Sequence, residues 1–321
     1  MNRLLKGPFG KIGMSVGLSA LDVGARGGVS TDLAEIAGAI EYYGFEPDSI
    51  ECKKLNQGKS HQPWKSVTYL PTALADGDRD LKLNLYRQRG CSSVLRARHE
   101  LGERFSRGEY YIHDGHVTVS AKRLDDVVEE ADIRSPAYMK IDVQGMELDV
   151  FNGAKETLGR SLVGVRTEVS FYPIYEGQPL FAEVDQALRP YGFVPMRWLE
   201  LHEWRRVTRR KYPFCSRGPT PCSRGQMIHG DVLYLMEPEM ITGESEEEAR
   251  RLISLGLIAS CYGHIDHAHA AFSRPVARDY LRDVVKIDPF NELFRISRGK
   301  ARYARVRSLG VRLRQLLGKV V

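Results

Sequence analysis

The chain has 321 residues, 42% of them hydrophobic and 27% charged, with 30 Gly, 15 Pro and 5 Cys. This balance excludes a disordered tail protein, a collagen-like repeat and a disulfide framework, each of which needs a different share of apolar residues, Gly/Pro or Cys. A formal charge of +6 with a pI near 9.0 points at first to an anionic partner. No run of about 18 apolar residues is present to span a bilayer. Lys6, Gly7, Pro8, Gly10, Lys11 and Gly13 interrupt the start of the chain, so a signal peptide is not expected. The five scattered cysteines (Cys52, Cys91, Cys215, Cys222, Cys261) fit reduced thiols in a cytoplasmic protein. Cys215 and Cys222 are too far apart for ordinary zinc-ligand spacing.

In chain order, Leu18 to Val23 reads as a buried strand, followed by a Gly24-Ala25-Arg26-Gly27-Gly28 turn. Ser30 then reads as the N-cap of a helix with an apolar stripe at Leu33, Ile36, Ala37 and Ile40, its N-terminal dipole aimed at the turn. Tyr42 to Phe45 is a second strand with Glu46 at its tip. Ser66 to Leu70 is β-rich, and residues 81–87 alternate with period two, as in an edge strand. Residues 96–116 are polar, and their histidines (His99, His113, His116) read as solvated surface more readily than as bases. Residues 123–133 are helical in pattern, 137–145 form a buried strand carrying Asp142 at its tip, and 145–158 read as one helix. Strands at 161–172, 193–204 and 230–238, with a helix at 180–193, complete an α/β pattern of roughly six or seven strands. Beyond Glu237 the chain reads as short helices. His264, His267 and His269 there do not align into a metal site.

In a doubly wound sheet, ligands bind at the carboxyl ends of the strands. The first turn lacks both the dinucleotide GxGxxG pattern and a Walker phosphate loop. An acid before the first glycine (Asp22) and another at the next strand tip (Glu46) are suited to an ammonium group and a ribose diol, the two ends of S-adenosylmethionine.

Asp22-Val23-Gly24-Ala25, Phe45-Glu46-Pro47 and Lys140-Ile141-Asp142 with Gly145 and Glu147, in this order, resemble the FkbM family of S-adenosylmethionine-dependent methyltransferases, over about residues 19–236. The resemblance implies a mostly parallel, seven-stranded Rossmann-like sheet of the class I methyltransferase type with a C-terminal helical extension. It also implies methylation of a hydroxyl on a glycan or related natural product. Carried over residue by residue, it assigns Asp22, Gly24, Ala25, Gly28, Glu46, Pro47, Thr72, Ala73 and Asp142 to the cofactor, and Asp142, Lys140 and Glu168 to catalysis. Ser92, Ser93, Glu147 and Tyr172 fall to the substrate. Asp142, Glu147 or Glu168 can serve as base; alternatively Asp142 and Glu168 can hold a divalent cation, so a metal is possible without being implied. The chain departs from the family at Arg26, where Asn is usual, and at Gln144, where Glu is usual.

The domain reading is a methyltransferase domain at 1–238, with a basic insert at 205–229, and an extension at 239–321. The positive charge is concentrated in two places. One is the insert, with Arg205, Arg206, Arg209, Arg210, Lys211, Arg217 and Arg224. The other is the acid-free tail from 293, which reads as a basic amphipathic helix through Tyr303, Val306, Leu309, Leu313, Leu316, Leu317 and Val320. The rest of the chain is net acidic. The basic insert suggests an anionic acceptor; the tail suits docking on protein, as in a homo-oligomer, or peripheral contact with a membrane. Nucleic acid is not expected as a partner, because aromatic residues do not interleave the basic runs. The competing function is a noncatalytic methyltransferase-like module that binds nucleic acid or an anionic membrane through these two segments.

Overall fold

The computed structural model describes residues 7–58, 63–210 and 224–299. A helix, α1 (Pro8–Val16), leads into the strand β1 (Leu18–Val23), followed by β2 (Ile40–Phe45), α2 (Ser49–Gln57), β3 (Ser66–Leu70), β4 (Ala73–Leu74) and β5 (Arg79–Tyr86). After α3 (Leu101–Arg104) come β6 (His113–Lys122), α4 (Leu124–Glu130), β7 (Pro136–Ile141), α5 (Glu147–Asn152), α6 (Lys155–Arg160) and β8 (Gly164–Ser170). The chain continues through α7 (Phe181–Leu188), β9 (Phe193–Trp204), β10 (Gln226–Met236), α8 (Glu246–Tyr262), α9 (Ile265–Ser273) and α10 (Pro275–Tyr280).

Seven strands form one sheet in the order β3-β2-β1-β7-β8-β10-β9. Pairings are parallel from β3 to β8, and β10 runs antiparallel to both β8 and β9. Every residue of β1 is buried, as a central parallel strand covered on both faces requires. The order reverses between β1 and β7, which leaves a crevice at their carboxyl ends where ligands of such sheets bind. The α/β architecture implied by the resemblance is present, helices after the sheet included.

Helix α8 begins at Ser245, whose hydroxyl accepts the Glu247 and Glu248 backbone N–H groups at 3.2 and 3.4 Å, and ends at Gly263 in the left-handed conformation. Leu252, Ile253, Leu255, Leu257 and Ile258 on it belong to the same buried core as β1, β7 and β10. A β carbon at Gly256 would lie 2.5 Å from the Phe272 ring, so glycine is what lets α9 approach this closely. The C-terminal helices therefore add their apolar faces to the core of the sheet.

Three details differ from the sequence pattern. The segment after β1 is no α-helix: residues Ala34–Ala39 form a short 3-10 stretch broken at Ile36, and Ser30 caps nothing longer than a turn. Among the described residues no α-helix follows the glycine turn before β2. Residues 145–158 form two helices rather than one, interrupted at Gly153, where a β carbon would strike the Ala75 carbonyl at 2.0 Å. Residues 81–87 belong to a second sheet, β4-β6-β5, whose longest strand draws on the region the sequence left unassigned. Residues 290–299 are helical, with Leu293 and Ile296 buried. The remainder of the basic tail, along with Lys211, Arg217, Cys215 and Cys222, lies outside the described residues. Arg205, Arg206, Arg209, Arg210 and Arg224 are exposed. No helix among the described residues is long and apolar enough to cross a membrane.

Candidate functional site

A cavity of about 480 Å³ opens at the carboxyl ends of β1, β2 and β7, within the usual range for small-molecule sites. Its wall carries Gly24, Arg26 and Gly27 from the first turn, Glu46 and Pro47 from the tip of β2, and Lys140, Asp142 and Gln144 from the end of β7. Thr72 and Ala73 close one side, and Leu74, Leu81, Leu83 and Val119 of the small sheet give it an apolar face. The alternation in β5 thus serves the cavity: Leu81 and Leu83 point inward on one side of the strand.

Gly24 has φ +86, and a β carbon there would meet the Asp142 carbonyl oxygen at 2.1 Å. Only glycine lets the two turns touch. Both its N–H and that of Ala25 donate to the Phe45 carbonyl, at 3.1 and 3.0 Å, tying the first turn to β2. Glu46 is 3% exposed, and its Oε1 accepts the Asp48 N–H at 2.9 Å. Burial pushes its carboxyl above the ordinary value, against that hydrogen bond and the nearby Arg26. Arg26, on the cavity wall, pairs with Asp48 at 3.5 Å.

Asp22 is buried at the end of β1 and does not line the cavity; its carboxylate turns toward Lys140 Nζ, at 3.0 Å, and the Tyr42 hydroxyl, which donates to it. Burial raises the Asp22 carboxyl, and Lys140 and Tyr42 work against that rise. For Lys140 burial opposes the charge, but Asp22 and Asp142 prevail and raise its value. The parallel register opposes Asp22 to Lys140 directly, which is why the pair forms.

The loop after β7 is strained. Gln144 has φ +54 and Gly145 φ +101, a left-handed pair with a non-glycine first member. Three contacts hold it: Glu147 Oε1 accepts the Val143 and Gly145 N–H groups, both at 3.2 Å, and the Ser93 hydroxyl donates to the Gln144 carbonyl at 2.6 Å. The result aims the Gln144 amide so that Nε2 donates to Asp142 Oδ1 at 2.6 Å and to Glu168 Oε2 at 3.1 Å, while Oε1 accepts the Tyr175 hydroxyl at 2.9 Å. Glu168 Oε1 lies 2.8 Å from His229 Nδ1. An amide N–H donor thus sits between Asp142 and Glu168, where a shared cation would need lone pairs. Among the described residues no group of three or more His, Cys, Asp or Glu is arranged to hold a metal ion. This donor set does not fit the divalent-cation reading.

Of the residues assigned from the resemblance, Gly24, Glu46, Pro47, Thr72, Ala73, Ser92, Lys140 and Asp142 come together on the cavity wall. Asp22, Ala25, Gly28, Ser93, Glu147, Glu168 and Tyr172 stand behind it. Ala25 packs under the turn against Gly44, and a β carbon at Gly28 would lie 3.9 Å from Leu55 and from the Tyr69 hydroxyl. Ser93 and Glu147 are committed to the Gln144 loop. Tyr172 accepts from Arg104 Nη1 at 3.0 Å and packs its ring on Phe105. Glu168 reaches the wall only through Gln144. The sequence pattern carries no sign of Gln144 as the organising side chain, of Arg89 and Gly90 on the cavity wall, or of His229 beside Glu168. His99, His113 and His116 are exposed, as read from the sequence.

The match to the methyltransferase FkbM domain covers residues 22–195. A 2-O-methyltransferase, NoeI, of Sinorhizobium fredii (strain NBRC 101917 / NGR234) is 28% identical over 176 residues, which are 51% of this chain and 69% of that protein. The crystal structure of a methyltransferase FkbM from Methylobacillus flagellatus KT aligns with 48% of this chain at 14% identity and a TM-score of 0.29, and the match spans only 33% of that protein. The family match runs from the acid at the end of β1 through the Gly24 turn, Glu46 and the Asp142 loop into β9, more than half of the sequence, and the chain belongs to the FkbM methyltransferase domain family.

Proposed function

We propose that the chain is an S-adenosylmethionine-dependent O-methyltransferase that methylates a hydroxyl of a sugar, glycan or related natural product. The observation that carries this reading is the cavity where the Gly24 turn, Glu46 and Asp142 meet at three neighbouring strand ends. The cofactor supplies a methyl group on a cationic sulfur. In this reading Glu46, on the cavity wall, accepts the ribose hydroxyls, and the apolar face formed by Leu74, Leu81, Leu83 and Val119 suits an adenine ring. The Asp142 carboxylate complements the sulfonium charge. The name of the NoeI relative, a 2-O-methyltransferase, supports oxygen as the acceptor atom. Exposed Arg205, Arg206, Arg209 and Arg210 favour an anionic acceptor.

Titration calorimetry with S-adenosylmethionine and S-adenosylhomocysteine tests the cofactor. Saturable one-to-one binding of both is expected, and absence of binding by either overturns the reading. Transfer of a labelled methyl group to methyl glycosides in preference to amine analogues tests the acceptor atom.

A further inference from the structure

The Gln144 contacts continue beyond the cavity wall. Strand β10 sets His229 opposite Ser170 and Asp231 opposite Glu168, and β9 sets His202 opposite His229. Paired residues of antiparallel strands share a face, so Glu168, His229, His202 and Asp231 gather on one side of this end of the sheet. From the wall a continuous line runs from Asp142 to Gln144 at 2.6 Å, to Glu168 at 3.1 Å and to His229 Nδ1 at 2.8 Å. The His229 ring is clamped: His202 stacks on it at 4.5 Å and 17°, and Trp204 meets it edge-on at 5.9 Å. With Nδ1 committed to Glu168, His229 makes no second hydrogen bond among the described residues, and its side chain is 18% exposed. Trp204 also lines a recess of about 300 Å³ together with Ser106, Arg107, Glu203 and Arg205. Trp204 belongs both to that recess and to the clamp on His229.

We propose that His229, oriented by Glu168, is the general base of the methyl transfer, and that the acceptor reaches it from the Arg107–Trp204 recess. The proposal rests on the O-methyltransferase reading above. The acceptor's O–H bond breaks and its proton goes to His229 Nε2. The oxygen's electron pair forms the new bond to the methyl carbon. The carbon–sulfur bond of the sulfonium donor breaks, and its electron pair stays on sulfur as a neutral thioether. The imidazolium, held beside Glu168, later returns its proton to water.

The charge environment supports this role. Burial pushes His229 below its ordinary value, Asp142, Asp231 and Glu200 push it up, and Arg107 pushes it down; burial prevails, so the ring is neutral and able to accept. Burial lifts Glu168 well above the usual carboxylate range, Asp142 and Asp231 add to that rise, and Lys140 and Gln144 oppose it. Nε2 can accept only when Nδ1 carries the ring hydrogen and donates it to an ionised Glu168, so the base form needs Glu168 as a carboxylate as well as a neutral ring. The base form is lost as pH falls, so turnover rises with pH to a plateau.

The test uses the full chain with histidine labelled for NMR, titrated in complex with S-adenosylmethionine and separately with S-adenosylhomocysteine. The two ligands differ by one methyl group and one positive charge. At the separation the proposal requires, that charge lowers the apparent pKa of His229 by about half a unit or more in the first complex. Identical titrations in the two complexes overturn the proposal. A parallel arm measures His229→Gln: binding of S-adenosylhomocysteine within about twofold of wild type, with methyl transfer to methyl glycosides down about a hundredfold and its acid limb gone. Unchanged turnover and pH profile in that variant overturn the proposal while leaving the function standing. Failure of the wild type to bind either ligand overturns the function itself, and the proposal falls with it.

Discussion

Gly24 and Asp142 stand so close that a β carbon at position 24 would lie 2.1 Å from the Asp142 carbonyl oxygen. The contact joins the turn after β1 to the turn after β7, the two strands between which the sheet order reverses. Gly24→Ala must both relieve a backbone clash and hold φ +86, which alone costs an L-residue about 1–2 kcal/mol. The expected result is a stability loss of at least about 2 kcal/mol in urea unfolding, with loss of measurable S-adenosylmethionine binding. Wild-type binding in this variant would show that the two turns need not touch.

Under the proposed function Glu46 accepts the ribose hydroxyls, and its backbone partner, the Asp48 N–H, needs only one of its two oxygens. Glu46→Gln keeps a carbonyl oxygen for Asp48 and removes the charge. A hydrogen bond to a charged group contributes about 1.5–3 kcal/mol, so the dissociation constant for S-adenosylhomocysteine is expected to rise about ten- to a hundredfold. Thermal unfolding of the free protein should barely change. An affinity within twofold of wild type would remove Glu46 from the ribose site.

The buried Asp22–Lys140 pair makes a separate prediction. Asp22 is 1% exposed, and Lys140 is the cation that faces it across the parallel register. Lys140→Met leaves a buried carboxylate with Tyr42 alone and should cost about 3–5 kcal/mol in stability. Adding Asp22→Asn removes the uncompensated charge, so the double variant should recover part of the loss. Strict additivity of the two changes in denaturant unfolding would show that the pair is not coupled.

The sheet was legible in the sequence because burial on both faces leaves β1 and β7 as largely apolar runs, and the glycine turn and Glu46 stood where the strand ends put them. Three things were not. Ser30 followed by spaced apolar residues mimics a capped helix, yet the side chains of Leu33, Ile36 and Ala37 are buried by a tighter 3-10 path whose backbone the pattern cannot distinguish. The alternation of β5 marked a half-buried strand truthfully, but which sheet it joined depended on β6, hidden in a polar stretch. The Gln144 network draws on β7, β8, β10 and the Ser93 loop, segments up to 136 positions apart in sequence, and no local pattern announces that His229 will meet Glu168. Ser93 and Glu147, assigned to the substrate by the resemblance, bond the backbone of the Gln144 loop, and Tyr172 bonds Arg104, contacts between segments that the sequence pattern does not show.

Glu147 gives the last prediction, one of pH. Its side chain is buried beneath the loop it holds; burial, with Glu168 and Asp142 nearby, pushes its carboxyl up to about 8, against the two N–H groups it accepts. A carboxyl whose folded value lies above its unfolded one binds its proton more tightly in the folded state. The stability it confers is therefore complete below the unfolded value, ordinarily 4.5, and is lost as pH rises through about 8. Glu147→Gln keeps an oxygen for Val143 and Gly145 and cannot ionise. The urea midpoint of the wild type should fall relative to that of the variant between about pH 5 and about pH 9, by an amount worth a few kcal/mol at most. The two proteins should differ least at the acid end, where Glu147 carries its proton. Parallel pH profiles would show that the carboxyl ionises at no cost in the folded chain, and that the strained Gln144 turn is held by something other than a buried, neutral acid.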